Sequence, residues 1–334
     1  MDFKASKKIV DEAYEVILKR EPDKVGFKHF TGLLQQNQLT KEELISLMKN
    51  SDEYVWMKEA DEQCKKNKTY IFKGYGDILY EIHSDSTVDY QIASGHIYDP
   101  YIGSHLKDHI KSDGVILDIG ANIGGLSLPF AKIYVPLGKV YSFEPDLEVI
   151  SQLKKNIEIN HLKNITVVPK ALQENAGIQE IEFTQRRQND EADRINRGLS
   201  TIEEVDHNYR KLFTLKKQIV KCTTIDHFVE EKQIEKIELI KIDVEGSEIR
   251  VLNGGINTIQ RDLPIIVYEF SSIYDEMFNF PNTKKTFQFM KDKGYQQFKI
   301  IKEGKIEKFD EYSEEPLLDI ICFHKTKVPK IIKY

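Results

Sequence analysis

The sequence predicts an α/β fold, an open and mostly parallel sheet preceded by a small all-α bundle, and three observations carry that expectation. Four short apolar runs each close on a carboxylate, at Asp118, Glu144, Asp243 and Glu269, as buried parallel strands do when their carboxyl ends form a ligand-binding edge. A glycine turn, Gly120-Ala121-Asn122-Ile123-Gly124-Gly125, follows the first run and leads into Leu126, Phe130 and Ile133 at helical spacing. Ahead of these, residues 1–68 carry apolar side chains only at helical intervals.

The totals narrow the possibilities. A chain of 334 residues can bury a large core and form two domains. With 54 acidic and 48 basic side chains its surface is mildly negative, so nucleic acid is not an expected partner. Cys64, Cys222 and Cys322 are far apart and contain no C-x-x-C pair, which argues against a disulfide framework or a zinc site and fits a cytoplasmic protein. No apolar run approaches the roughly 20 residues that cross a bilayer. The amphipathic amino terminus is not that of a secretory signal.

In the first 68 residues, Val10, Tyr14, Ile17 and Leu18 mark one helical face, ended by the turn residues Glu21-Pro22-Asp23. Phe27, Phe30, Leu33 and Leu34 mark a second helix. Thr40 with Glu43 forms a capping box before Leu44, Ile45, Leu47 and Met48. No cluster of His, Cys or carboxylates there suggests chemistry. Beyond it, Tyr70–Phe72 and Ile78–Ile82 read as strands joined through Gly74-Tyr75-Gly76. His96 and Tyr98, just ahead of the glycine loop, are candidate ligand contacts, with packing as the plainer reading.

Val115–Leu117 form the organising strand, with Asp118 at its end. Asn122 stands where a dinucleotide fingerprint has its second glycine, so a pyrophosphate would be poorly cradled and an uncharged-tail or amino-acid-tailed nucleoside fits better. The next strand, Gly138–Phe143, ends on Glu144-Pro145-Asp146. Glu144 is placed to accept both ribose hydroxyls, and Asp146 to cap a helix bearing Val149, Ile150, Leu153 and Ile157. A third strand, Ile165–Val168, leads to Ala171, where an adenine ring could be covered. From 185 to 216 the composition turns charged and amide-rich, the pattern of a solvated insertion or of a mobile lid over an acceptor, with a turn at Gly198-Leu199-Ser200. Arg186 and Arg187 within it could hold an anionic acceptor.

The second chemical stretch is IELIKIDVEGSE, Ile237–Glu248, in which Lys241, Asp243 and Glu245 gather charge at the end of a buried strand. Pro264–Tyr268 then closes on Glu269. Four carboxylates and a lysine on one sheet edge indicate a site rather than four separate helix caps. They supply a general base, and Asp243 and Glu269 could equally hold a divalent cation. A helix over Thr286–Lys293, strands at Tyr295–Ile300 and Leu317–Cys322 with a Glu303-Gly304-Lys305 turn between them, and a solvated lysine-rich tail complete the chain.

Taken together, VILDIGANIGG, GKVYSFEP, TTIDHF, IELIKIDVEGSEIRVLNGG and PIIVYEF resemble the FkbM family of S-adenosylmethionine-dependent methyltransferases, from about residue 95 to 325. The resemblance implies a class I methyltransferase fold for residues 69–334, Rossmann-like, with seven strands and an antiparallel last strand. It also implies O-methylation of a hydroxyl on a sugar or glycan. Carried over, Asp118, Gly120, Ala121 and Asn122 surround the methionine moiety of S-adenosylmethionine and Glu144 its ribose. Gly124, Asp146 and Ala171 are counted with them as cofactor-binding. Lys241, Asp243 and Glu245 lie near the methyl group, Asp243 as the base, with Glu269 or a bound metal assisting. Alternatives are a non-catalytic glycan-assembly scaffold and O-methylation of a small secondary metabolite. Asn122 disfavours a nicotinamide oxidoreductase. AYEVILKREPDKVGFKHFTGLL and LTKEELISLMKNSDEY resemble a small helical domain of unknown function, similar to phycobilisome linkers, found beside bacterial glycosyltransferases and other carbohydrate enzymes. That likeness implies a docking or oligomerisation module in residues 1–68.

Overall fold

A computed structural model describes residues 1–19, 22, 24–95, 102, 103, 106, 109–175, 180–189, 193–301, 305–314 and 317–328. His96, Tyr98 and parts of the turns expected at residues 20–23 and 303–305 lie outside them. The amino-terminal helices are α1 (Phe3–Ala13), α2 (Lys24–Gln35), α3 (Lys41–Lys49) and α4 (Asp52–Lys66). Thr40 and Glu43 make the reciprocal capping bonds at the start of α3. Val10, Tyr14, Ile17, Leu34, Leu44 and Met48 close a core of their own. Ala60 of α4 belongs to a different cluster, packed with Ile78, Ile82 and Val88, so the last helix leans on residues 78–88 as well as on the bundle. β1 (Thr69–Lys73) and β2 (Leu79–His83) pair antiparallel, Thr69 opposite His83, and α5 (Thr87–Ala93) comes next.

The main sheet is built from β3 (Val115–Ile119), β4 (Lys139–Phe143), β5 (Ile165–Val168), β10 (Leu239–Ile242), β11 (Ile265–Phe270), β12 (Tyr295–Ile301), β13 (Lys305–Lys308) and β14 (Leu318–His324), in the order β13-β12-β14-β11-β10-β3-β4-β5. β5, β4, β3, β10 and β11 run parallel, and β14, β12 and β13 are antiparallel to their neighbours. This is the class I methyltransferase sheet with one strand added. The short K-I-E-K run of β13 folds back onto β12 and tucks Ile306 against the core, where only a turn was expected. Successive side chains of β3 and β10 enter opposite layers. Leu117, Ile119, Ile240 and Ile242 pack with Phe228, Leu252 and Phe287, whereas Ile116 and Leu239 pack with Leu106, Phe130 and Phe298. Helical cover on both faces explains why these strands read as unbroken apolar runs.

The charged stretch is more ordered than its composition suggests. β6 (Ala171–Leu172), β7 (Glu180–Asn189), β8 (Ile195–Asn196) and β9 (Thr214–Thr223) form a second sheet, with β7 and β9 paired antiparallel from Glu180–Lys221 to Arg187–Thr214. Residues 185–189 and 214–216 are thus strand, held by a small core of Ala171, Phe183, Val220 and Cys222. Among the described residues no helix is long and apolar enough to cross a membrane.

Candidate active site

β3 lies between β4 and β10, and the chain leaves it first to one side of the sheet and later to the other, so the strand order reverses beside it. Loops part at such a reversal and leave a crevice at the carboxyl ends of the strands. The register puts Lys241 of β10 opposite Asp118 of β3 and Ser142 of β4 on the other side. Glu144 follows β4 directly, Asp243 follows β10, and Glu269 is the penultimate residue of β11. One cleft results. Asp118, Gly120, Ala121, Asn122, Glu144 and Ala171 line one part of it. Lys241, Asp243, Glu245 and Glu269 line the same cleft.

Two residues expected in the cofactor set are not in its lining. Gly124, at φ 94°, faces the side chains of Leu128 and Leu153, so it serves the packing of the turn. Asp146 accepts the N–H of Glu148 as the cap of helix Leu147–Ile159 and pairs with Arg187 at 2.6 Å.

In the first part of the cleft, Asp118 is fully buried, takes the Ser127 hydroxyl on one oxygen and has no hydrogen-bond partner for the other among the described residues. Burial raises its pKa, and Lys241, 3.9 Å away, opposes the rise. Glu144 accepts the backbone N–H groups of Asn122 (3.0 Å) and Asp146 (2.8 Å). Burial nevertheless pushes its carboxyl up to about 7. Asn122 adopts φ 48°, a left-handed conformation that asparagine tolerates better than most residues, so the loop turns without the missing glycine.

In the second part, Lys241 Nζ donates to Asp243 Oδ2 (3.1 Å) and to the Gly120 carbonyl (3.4 Å). Its burial disfavours the charge, but Asp243 and Asp118 overcome that and hold the ammonium form. Glu245, at φ 56°, takes Arg186 Nη2 (2.9 Å) and the Tyr274 hydroxyl (2.6 Å) on one oxygen. Burial raises it to about 7, against the pull of Arg186. Glu248 accepts from Asn282 (2.6 Å) and is also pushed by burial to about 7. Glu269 Oε2 has no hydrogen-bond partner among the described residues, and burial together with Asp243 and Glu245 lifts this carboxyl well above its usual range. Asp319, its cross-strand neighbour, is raised by burial to about 6. One oxygen each of Asp243, Glu245 and Glu269 lies within 4.8 Å of the others, a spacing that could hold a cation. Two of the three carboxylates already face Arg186 and Lys241.

Stability should therefore depend on pH with a definite sign. Glu144, Glu245, Glu248 and Asp319 keep protons in the folded state that an unfolded chain releases near pH 4. The folded state binds more protons between those limits, so stability falls as pH rises through the window. The ligand-free protein is expected to melt several degrees higher at about pH 5.5 than at about pH 8. A calorimetric melting temperature that is flat or rises with pH would refute the raised carboxyls.

Arg186 and Arg187 do not wait for an anionic acceptor as expected. Arg186 is fully buried against Glu245, and Arg187 is tied to Asp146 and the Ser200 hydroxyl. The insertion instead brings Arg197, Gly198, Ser200 and Thr201 to the cleft, and α5 adds Val88 and Ile92. Of these the sequence marks only the turn at Gly198–Ser200, because the rest depend on strand pairing between distant segments.

With this geometry, the match to the methyltransferase FkbM domain over residues 118–296 is decisive, since it covers more than half of the chain and begins on Asp118. The chain belongs to the FkbM methyltransferase family. Residues 4–57 match a separate domain of unknown function, DUF4214, which covers α1 to α3 and the start of α4. Among the relatives, methyltransferase sdnD of Sordaria araneosa is 27% identical over 187 residues, 49% of this chain and 70% of its own length. Hexuronic acid methyltransferase AglP of Haloferax volcanii is 26% identical over 155 residues, 46% of this chain and 55% of its own. The 2-O-methyltransferase NoeI of Sinorhizobium fredii is 27% identical over 153 residues, 45% and 61% respectively. The chain thus spans between 55% and 70% of the lengths of these relatives. The FkbM match runs through every strand-end carboxylate of the cleft, whereas Val88 and Ile92 precede it.

Proposed function

We propose that this FkbM-family chain is an S-adenosylmethionine-dependent O-methyltransferase acting on a hydroxyl of a sugar or glycan. The observation that supports it most is a single cleft holding both the Asp118–Glu144 half and the Lys241–Asp243 half. The FkbM family membership supports methyl transfer, and the relatives named for hexuronic acid and 2-O-methylation favour a carbohydrate oxygen as acceptor.

S-adenosylmethionine supplies a methyl group already activated on a sulfonium. The residues around it need to align and to manage one proton. Asp118 and the Gly120-Ala121-Asn122 loop hold the methionine end, Glu144 accepts the ribose hydroxyls, and Ala171 flanks the base. Asp243, steadied by Lys241 through one oxygen, takes the proton of the acceptor hydroxyl as its oxygen attacks the methyl carbon. Bound there, S-adenosylmethionine would give up the methyl group and its sulfur would keep the C–S electron pair. Alignment of this kind can remove about 7 to 11 kcal/mol of barrier. Glu269, whose carboxyl burial pushes well above its usual range, stands beside Asp243 in the cleft as the assisting group. Residues 1–68 serve as a docking or oligomerisation domain beside the methyltransferase domain of residues 69–334, with 185–216 inserted over the cleft.

Titration calorimetry with S-adenosylhomocysteine, followed by transfer of labelled methyl to a panel of hexose and hexuronic acid glycosides, tests this reading. Binding and transfer are expected. Absence of binding overturns the cofactor, and binding without transfer to any glycoside favours a scaffold. Repeating the assay with EDTA and with added magnesium reads whether the three carboxylates take a cation.

The Glu144 role predicts a pH dependence. A carboxylate accepts ribose hydroxyls and a protonated carboxyl accepts fewer, so affinity is complete above about 7 and lost below it. S-adenosylhomocysteine binding should weaken by up to about tenfold per pH unit on that acid side. Glu144→Gln should flatten the profile, and an unchanged profile in that variant would remove Glu144 from the ribose site.

A further inference from the structure

We propose that Arg186 is a positioning residue, by which the inserted sheet fixes the rim carboxylate of Glu245. The proposal rests on the reading of the cleft as a methyl-transfer site. Arg186 heads the fully buried side chains by volume, yet it belongs to β7, which pairs with β9 and β8 and not with the main sheet. Its guanidinium lies 5.1 to 5.6 Å from the ring centroids of Phe278, Phe213 and Tyr274. Nε donates to the Leu199 carbonyl, Nη1 contacts Met277 Sδ at 2.8 Å, and Nη2 donates to Glu245 Oε2 at 2.9 Å. Such enclosure leaves no room for an acceptor on this arginine. Its one anionic partner among the described residues is Glu245, which lines the cleft beside Asp243 and Glu269.

Glu248 holds the flanking amides of Val244 and Gly246, but the direction of the Glu245 side chain is set from outside the loop. Glu245 stands in an irregular loop at φ 56°, followed by Gly246 at φ 96°, with no ladder hydrogen bonds to define its direction. Arg186 and Tyr274 grip the same carboxylate oxygen from two sides. A second fastening lies close by, where Glu203 of the insertion accepts the Ser247 hydroxyl (3.1 Å) and pairs with Arg250. The insertion therefore clamps the 245–247 loop rather than resting over it. A buried pair of this kind adds little net stability, because desolvation offsets the attraction. It does fix a direction, and misplacement by about 1 Å can cost about 100-fold in rate.

The test compares R186M, R186K, E245Q and the double variant R186M/E245Q, using the best glycoside acceptor of the panel above, S-adenosylhomocysteine calorimetry, and amide hydrogen exchange of the peptide spanning 243–248. R186M is expected to lower kcat about 100-fold, with R186K recovering part of the loss. Affinity for S-adenosylhomocysteine should stay within about twofold, and R186M made in the E245Q background should change kcat by no more than about twofold. Exchange of the 243–248 amides should accelerate equally in R186M, E245Q and the double variant. Equal losses of kcat from R186M in both backgrounds, a parallel loss of affinity, or unchanged exchange in R186M would overturn the proposal. If R186M does not fold, R186K and the double variant, which removes both charges, decide the matter. If wild type binds S-adenosylhomocysteine but methylates no glycoside, the functional reading fails, and the exchange comparison still decides whether Arg186 positions Glu245.

Discussion

Asp243→Asn is expected to lower methyl transfer by roughly 100- to 10,000-fold, the usual worth of a positioned general base, while S-adenosylhomocysteine affinity stays within about threefold. The substitution keeps shape while removing the charge paired with Lys241 and the ability to take a proton. Lys241 retains Asp118 at 3.9 Å and its bond to the Gly120 carbonyl, so the buried ammonium is not stranded and the fold should persist. Among the described residues no hydrogen bond joins the Asp243 carboxylate directly to Glu144 or to the glycine loop, which is why cofactor affinity and turnover should separate. A sugar hydroxyl holds its proton tightly at neutral pH, so loss of the acceptor for that proton falls on kcat rather than on KM. Steady-state kinetics alongside calorimetry provide the check. Unchanged turnover would remove Asp243 from the chemistry, and a matching loss of affinity would mean that it serves cofactor binding instead.

The main sheet and the convergence of its carboxylates were legible because each signal is local. A strand covered on both faces is an apolar run, its end is marked by the first charged residue, and parallel topology carries those ends to one edge. Asp118, Glu144, Asp243 and Glu269 were found in that way, and the Thr40–Glu43 cap likewise lies within four consecutive residues. What stayed hidden depends on pairs far apart in sequence. β7 and β9 mix charged and amide side chains with apolar ones, so their composition resembled a solvated insertion although Thr184, Gln185 and Arg186 of β7 are buried. Arg186 and Glu245 are separated by 59 residues, and nothing near either one announces the other. Gly124 and Asp146 mark the opposite limit, since a glycine in a turn or an acid before a helix reads the same whether it meets a ligand or only its own loop.

Gly120→Ala should be the most damaging substitution of a residue with no functional group. Gly120 stands at φ 81°, a region that costs a side-chain-bearing residue about 1 to 3 kcal/mol. A Cβ there would also overlap the carbonyl oxygen of Asp243 and lie 2.8 Å from its carbonyl carbon. Neither strand end can yield easily. The Gly120 N–H is bonded to the Phe143 carbonyl (3.0 Å) and the Asp243 N–H to the Ile119 carbonyl (2.9 Å), so relief means parting β3 from β10 at the cleft. Overpacking of this sort adds roughly another 1 to 3 kcal/mol, giving an expected destabilisation of at least about 2 kcal/mol in urea unfolding. Because the movement carries Asp243 away from Lys241 and widens the floor of the cleft, S-adenosylhomocysteine affinity and methyl transfer should fall together, unlike the separation expected for Asp243→Asn. Gly32→Ala supplies the contrast. That glycine is within α2 with nothing inside 4 Å of an added Cβ, so alanine should stabilise by up to about 1 kcal/mol and leave activity unchanged. Wild-type unfolding and affinity in Gly120→Ala would mean that β3 and β10 do not approach as closely as described, and the placement of Asp118 beside Lys241 would lose its support.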